Sequence, residues 1–402
     1  MSGPDTEAIR PFLGEPHLAL AQGVAAFARE RIAPLPAPAD DGAARRQARE
    51  VLGLLGDSGW GSHAVAAEGD GGWHGPDLVA CCLIREALAA ASPLADAVFA
   101  LQCLGSMPVA LAGTDEQRRR WLPEVAAGRA MAAFAMTEPE AGSDVAAIAT
   151  RAVRDGDGYR LDGVKTLISN AGLADLYAVF ATTDPEAGRR GLSCFLVPAD
   201  APGLRFAGPQ VLSAPHPLGE LRVEGCRVPA SARLGEEGEG FKIGMATLDR
   251  LRPTVAAAAC GMAARALEEA TAHARRRRQF GRPLADLQLV QARLAEMATK
   301  LDAARLLTYR AARAAADGGE GVPALRRWSA MAKAFATEAA QEVVDGAVQL
   351  LGGRGLLADH PVDRLYRSVR ALRIYEGTTE IQRLVVAREL LKAAEAREGE
   401  GP

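Results

Sequence analysis

The residue whose setting most invites chemistry is a glutamate near the end of the chain. In Arg373-Ile374-Tyr375-Glu376-Gly377-Thr378-Thr379-Glu380-Ile381-Gln382-Arg383, a short extended piece is expected to feed a helix beginning near Thr378, with Glu376 just ahead of its start. Two readings fit. The carboxylate complements the helix dipole while Thr378 or Thr379 caps the helix. Alternatively it is a general base, because a carboxylate beside a glycine is open to close approach and gains basicity when a substrate expels water.

Three other segments could hold a ligand. Phe134-Ala135-Met136-Thr137-Glu138-Pro139-Glu140-Ala141-Gly142-Ser143-Asp144 concentrates hydroxyls, a turn proline and a glycine. Backbone amides exposed by such a turn can hold a polar or anionic edge, and a plain interdomain turn fits as well. Gln349-Leu350-Leu351-Gly352-Gly353-Arg354-Gly355 ends a helix in more glycines than a C-cap needs, which suggests either close backbone approach or a flexible loop. Its order, helix before glycines, excludes a dinucleotide-binding fingerprint. Arg277-Arg278-Gln279-Phe280-Gly281-Arg282-Pro283-Leu284, followed by Gln288, offers either solvated arginines or an arginine that reaches a pyrophosphate.

These segments need a scaffold, and the chain of 402 residues, 49% hydrophobic, is long enough for two or three domains. It carries 83 alanines and 47 basic residues, of which only Lys165, Lys242, Lys300, Lys333 and Lys392 are lysines; the skew reads as coding bias. A net charge of -3 argues against a nucleic-acid binder despite the run Arg275 to Arg278. The six cysteines form no C-x-x-C pair and the histidines lack metal-ligand spacing, so buried reduced thiols and no metal are expected. With no targeting pattern at Met1 to Glu15 and no apolar run of about eighteen residues, the protein is expected to be cytoplasmic, without membrane insertion.

Alanine marks the organisation: 29 fall in residues 251 to 350 but only 13 in residues 151 to 250. Residues 1–131 read as a helical domain, broken at Pro34 to Pro38 and at Gly69 to Pro76. Residues 132–240 read as a β domain of sandwich or barrel type, with a hairpin around Asp155-Gly156-Asp157-Gly158. Helical periodicity returns over 241–393, in stretches Phe241 to Phe280, Leu284 to Ala316, Pro323 to Leu351 and Glu380 to Ala393, and helices of about thirty residues predict an antiparallel bundle. Leu284, Leu287, Leu294, Met297 and Leu301 form one apolar stripe for its core. Residues 394–402 are expected to be a disordered tail.

The four segments, in this order along nearly the whole chain, resemble the acyl-CoA dehydrogenase family of flavoproteins. That resemblance implies an N-terminal helical domain, a middle β domain and a C-terminal four-helix bundle, commonly a homotetramer. It implies that Phe134, Met136, Thr137, Gly142 and Ser143 line an FAD, Ser143 also lying near the substrate. Leu167, Ile168 and Ser169 would form a second flavin segment, with Leu167 where the family usually has an aromatic residue. Arg277, Phe280, Gln288, Gln349, Gly352 and Gly353 would reach the FAD of a neighbouring subunit, and Thr378 and Glu380 would contact it at a helix start. Asp249, Arg252 and Gly377 would serve the substrate. Glu376 corresponds to the family's base in one branch; the position used by another branch is Leu251, which takes no proton.

The implied reaction is α,β-dehydrogenation of an acyl-CoA thioester, with the Glu376 amide helping to polarise the thioester oxygen and an electron-transfer flavoprotein as acceptor. A carrier-protein thioester is an alternative that the departure at Leu167 keeps open. An acyl-CoA oxidase would use the same base; the ordinary chain length disfavours it. The retained glutamate disfavours a flavin monooxygenase or nitroalkane oxidase, and the net charge disfavours a non-catalytic nucleic-acid-binding relative.

Overall fold

The computed structural model describes residues 3–69, 72–316 and 323–399. The chain folds into two compact units: Met1–Pro36 with Asp77–Asp96 and Asp249–Pro402, and Ala37–Pro76 with Ala97–Leu248.

The first unit is all helix at its core. Its long helices, Gly240–Arg276 from Asp249 onward, Gln288–Ala316, Pro323–Leu351 and Thr379–Gly399, supply the expected bundle, and Leu78–Ala91 packs with them. The alanine excess has a structural use here. Ala256, Ala259, Ala263 and Ala266 are buried in one cluster with Ala332, Ala336, Ala340 and Ala347, short side chains that let helix backbones approach closely. At Gly261 the fit is tightest: a Cβ there would lie 2.1 Å from the Glu86 carbonyl oxygen. Met297 and Leu301 of the expected stripe belong to this core, and Leu294 packs on it.

Two features of this unit differ from the sequence reading. A further helix, Pro361–Leu372, precedes the glutamate segment, started by Pro361 and capped by the His360 ring, which accepts from the Val362 amide at 3.2 Å. Its apolar side chains Val362, Leu365, Val369 and Leu372 are buried, but it is short and arginine-rich and falls between two stronger patterns. Because it ends at Leu372, Arg373 to Gly377 form a tight turn and not an extended piece. The last helix also runs on through Gly399, past the expected start of a tail at Ala394; residues 400–402 lie outside the described residues.

The second unit is built on an eight-stranded sheet. The expected hairpin is present: Arg151–Asp155 pairs antiparallel with Gly158–Ser169, turning at Gly156, whose φ of 61° suits glycine. Gly158–Ser169 continues antiparallel to Leu218–Pro229, with register shifts between Leu161 and Gly163 and between Lys165 and Ile168. The second shift turns Leu167 outward at a φ of 54°. Ala132–Ala135 lies parallel to Leu176–Thr182, which pairs antiparallel with Leu192–Pro198. Helices Asp41–Asp57 and Asp115–Ala126 accompany the sheet. Pro93–Ala112 is long and apolar enough to cross a membrane by length and composition, contrary to the sequence reading, yet 83% of that stretch is buried in the fold.

Candidate active site

Glu376 and Gly377 occupy the turn between Pro361–Leu372 and Thr379–Gly399, and both are left-handed, at φ 55° and 92°. For a glutamate that conformation costs on the order of 1–3 kcal/mol, so neighbouring groups must impose it. They do so through the two carbonyls. The Glu376 carbonyl accepts from Gln382 Nε2 at 3.2 Å and from Arg252 Nε at 3.4 Å. The Gly377 carbonyl accepts from Lys333 Nζ at 2.7 Å and again from Gln382 Nε2 at 3.1 Å. Gly377 is required here twice over, by its φ and because a Cβ would sit 2.3 Å from Gln382 Nε2.

The Glu376 side chain carries a buried oxygen, Oε2, without a hydrogen-bond partner among the described residues. Burial raises its pKa above the ordinary carboxylate value, while the charges of Arg85, Lys333 and Arg252 oppose the rise. Asp96 adds to the rise. Arg85 is itself buried and committed elsewhere, to Asp96 through Nε at 2.8 Å and Nη2 at 3.0 Å and to Thr254 Oγ1 at 2.9 Å. The result is a carboxylate whose rise in pKa is opposed by surrounding cations, with an oxygen that none of them ties up, which suits proton abstraction. No backbone carbonyl among the described residues takes the Glu376 amide, which leaves it free to donate.

Arg252, expected at the substrate's CoA moiety, lies beneath this turn: it is buried, paired with Asp249, and bonded to the Glu376 carbonyl. Asp249 also receives Arg326 Nε at 2.7 Å. Both residues are thus engaged within the fold. Thr378 Oγ1 accepts from the Ile381 amide at 3.4 Å, the expected cap, and Glu380 is exposed on the first turn. Lys333, Gln382 and Arg85 were missed in the sequence. For Lys333 a signal existed, a lysine kept in a chain that otherwise uses arginine.

In the second unit, Met136 and Thr137 follow the strand Ala132–Ala135 and are held from below. Lys165, fully buried, donates to the Met136 carbonyl at 3.2 Å and to Glu138 Oε1 at 2.7 Å. Thr166 donates its amide to the Thr137 carbonyl at 3.0 Å. Phe134 packs against Phe180 with ring centroids 4.8 Å apart and the rings tilted by 54°. Gly142 and Ser143 are exposed, and nothing lies within 4 Å of a Cβ at Gly142. Leu167 is 54% exposed, Ile168 is buried, and Ser169 Oγ is 2.8 Å from His216 Nε2. Burial and the charge of Arg45 hold His216 down at about 4, so it is neutral at physiological pH. His216 is a further residue the sequence reading missed.

The remaining expected cofactor residues cluster at helix ends of the first unit. Arg277 ends Gly240–Arg276, and Phe280 is the exposed tip of the short hairpin between Arg278–Gln279 and Arg282–Pro283, at a φ of 51°. Gln288 and Gln349 are exposed; Gly352, at φ 60°, and Gly353 have open space around them. The charges of Arg354, Arg277 and Arg276 all help lower the His273 pKa, after burial. None of these three arginines has an ion-pair partner among the described residues. A cationic surface bordered by bare glycines fits a diphosphate, so this donor set fits FAD.

The sequence matches the family models for the acyl-CoA dehydrogenase N-terminal domain over residues 14–129, middle domain over 133–226 and C-terminal domain over 238–391. It is 42% identical over 383 residues to the probable acyl-CoA dehydrogenase FadE25 of Mycobacterium tuberculosis (strain ATCC 25618 / H37Rv), covering 94% of this chain and 96% of that one. It is 40% identical to the cyclohexane-1-carbonyl-CoA dehydrogenase of Geobacter metallireducens, over 91% of this chain and 95% of that one. Among solved structures, butyryl-CoA dehydrogenase from Megasphaera elsdenii superposes with a TM-score of 0.86 at 33% identity, covering 94% of this chain and 99% of that one. With three domain models matched in order and relatives matched nearly end to end, the chain belongs to the acyl-CoA dehydrogenase family, oxidoreductases acting on CH–CH bonds.

Proposed function

We propose that the protein performs FAD-dependent α,β-dehydrogenation of an acyl-CoA thioester to the trans-2-enoyl-CoA, with Glu376 as base. The observation that carries this reading is the buried, unpartnered Oε2 of Glu376 on a turn whose carbonyls are bonded from three sides. Glu376 takes the proton from the α-carbon through that oxygen. Its amide donates to the thioester oxygen, which stabilises enolate character as the proton leaves. Closure of the substrate over the carboxylate removes water and raises its basicity further. Bound FAD supplies the acceptor for the hydride from the β-carbon.

Phe134, Met136, Thr137, Gly142, Ser143, Leu167, Ile168 and Ser169 would hold the cofactor from one subunit. Arg277, Phe280, Gln288, Gln349, Gly352 and Gly353 would hold it from a neighbour, with Thr378 and Glu380 contributing at the helix start. That sharing calls for at least a dimer, and the family resemblance points to a homotetramer. Exposed Phe280, at 89%, and Leu289, at 87%, support it as apolar side chains that an adjoining subunit would cover. An electron-transfer flavoprotein would reoxidise the enzyme. The test is a panel of straight, branched and cyclic acyl-CoA thioesters added anaerobically to the yellow protein, with product mass measured. A loss of two hydrogens from one class supports the reading; a protein that takes up no FAD, or oxidises none of the panel, refutes it.

A further inference from the structure

Two of the five lysines in this chain, Lys165 and Lys333, are wholly buried. An isolated buried ammonium is costly and is retained only where its charge or its geometry is used. In a chain of 47 basic residues that otherwise favours arginine, a buried lysine also marks a place where a compact cation on a long thin stem is needed. Lys165 has its carboxylate, Glu138, within 2.7 Å. Lys333 has no ion pair among the described residues; its ammonium meets the Gly377 carbonyl at 2.7 Å.

We infer that Lys333 is a positioning residue for the base. Through the Gly377 carbonyl it holds Glu376 and Gly377 in consecutive left-handed conformations, and its charge favours the ionised form of the Glu376 carboxylate against the cost of burial. This rests on the assignment of Glu376 as base. The charges facing Lys333 are Glu376, Arg252, Glu338 and Glu380; those facing Glu376 are Arg85, Arg252, Lys333 and Asp96. Burial holds Lys333 itself down at about 8, opposed first by Glu376, so its charge fades in mildly alkaline solution. Arg252 and Gln382 share the task of fixing the Glu376 carbonyl. Arg252 also pairs with Asp249, and Gln382 is neutral; Lys333 alone among the three contributes an unpaired positive charge.

The test compares Lys333→Gln, which keeps a donor without charge, with Lys333→Met, which keeps neither. Both variants are purified with FAD, and the rate of anaerobic flavin bleaching at saturating acyl-CoA is followed against pH. Removing a cation raises the Glu376 pKa, so the acidic limb moves upward in both variants. Lys333→Met also slows bleaching at the plateau about tenfold, as a misplaced base does, with little change in substrate affinity. In the same proteins, amide hydrogen exchange of the peptide spanning 373–383 rises in Lys333→Met and less in Lys333→Gln. An acidic limb that stays in place in both variants overturns the charge role. Unchanged exchange and unchanged plateau rate in Lys333→Met overturn the positioning role. Where Lys333→Met does not fold, the limb and exchange of Lys333→Gln decide alone. If the wild-type flavin is bleached by no thioester, the proposed reaction fails, and hydrogen exchange still tests whether Lys333 holds the turn.

Discussion

The buried pair Lys165–Glu138 sustains the segment expected to line the flavin, and breaking it from either side has a calculable outcome. Lys165 is fully buried and Glu138 nearly so, and their contact is 2.7 Å. Glu138 also accepts the Ala149 amide at 2.7 Å and the Thr150 amide at 3.0 Å, so it ties the turn after Met136 to the start of the hairpin. Glu138→Gln leaves a buried ammonium without its counter-charge, and removing one partner of such a pair costs about 3–5 kcal/mol. Burial already holds Lys165 down at about 8 in spite of Glu138, and without the carboxylate it falls further. Lys165→Met leaves Glu138 its two amide donors, so its cost falls below that of Glu138→Gln. The double variant Glu138→Gln/Lys165→Met costs less than the sum of the singles, with a coupling of roughly 2–3 kcal/mol in a double-mutant cycle. Urea unfolding of the FAD-free protein measures all four corners, and FAD retention reports on Met136 and Thr137. Additive costs, or a Glu138→Gln loss below about 1 kcal/mol, would refute the claim that this pair is a coupled buried unit.

Gly377→Ala places a Cβ 2.3 Å from Gln382 Nε2 at a φ of 92° and costs upwards of about 2 kcal/mol, read as a lowered Tm together with lost turnover. For Glu376 the sign of the pH effect is fixed by the raised pKa: the folded state binds its proton more tightly than the unfolded chain, so the ionised group destabilises above the folded pKa. Glu376→Gln is therefore more stable than wild type at pH 8, by about 1.4 kcal/mol for each tenfold by which folding tightens the hold on that proton, and the gain disappears near pH 4; equal Tm differences at both pH values would contradict this. Bleaching by the wild type declines as pH falls through a value above that of an ordinary glutamate, followed by stopped flow across a pH series. Replacing Arg277 and Arg354 by Gln weakens FAD retention and flattens its dependence on salt, measured by flavin release during dialysis; retention unchanged would remove them from the diphosphate site.

Local pattern made the large pieces of this protein legible. The helix Pro323–Leu351 and the turn at Asp155 to Gly158 are signalled by residues adjacent in sequence, and the structure reproduces both. Glu376 stands out as a candidate because its glycine neighbour and the following threonines are local, but that pattern fits a helix-dipole partner as well, and it is the family resemblance that assigns it the role of base. What surrounds it was not legible. Lys333 meets the Gly377 carbonyl from 44 residues away, and Arg252 reaches the Glu376 carbonyl across 124. Backbone carbonyls have no residue-type signature, so no spacing rule forecasts which cation will find them. The family resemblance assigns Arg252 to the substrate; that it also pairs with Asp249 and bonds the Glu376 carbonyl under the turn is a long-range arrangement that no local pattern announces. His216 lies 47 residues from Ser169, in a stretch without periodicity, and its contact arises only from the pairing of Gly158–Ser169 with Leu218–Pro229.

In the proposed reaction the buried, unpartnered Oε2 of Glu376 removes the α-proton of an acyl thioester. Anaerobic bleaching of the flavin by the best acyl-CoA of the panel, compared between wild type and Glu376→Gln, tests it most directly. Glu376→Gln is expected to bind FAD and acyl-CoA as the wild type does but to leave the flavin oxidised. Bleaching of Glu376→Gln at the wild-type rate would contradict it and move the base elsewhere.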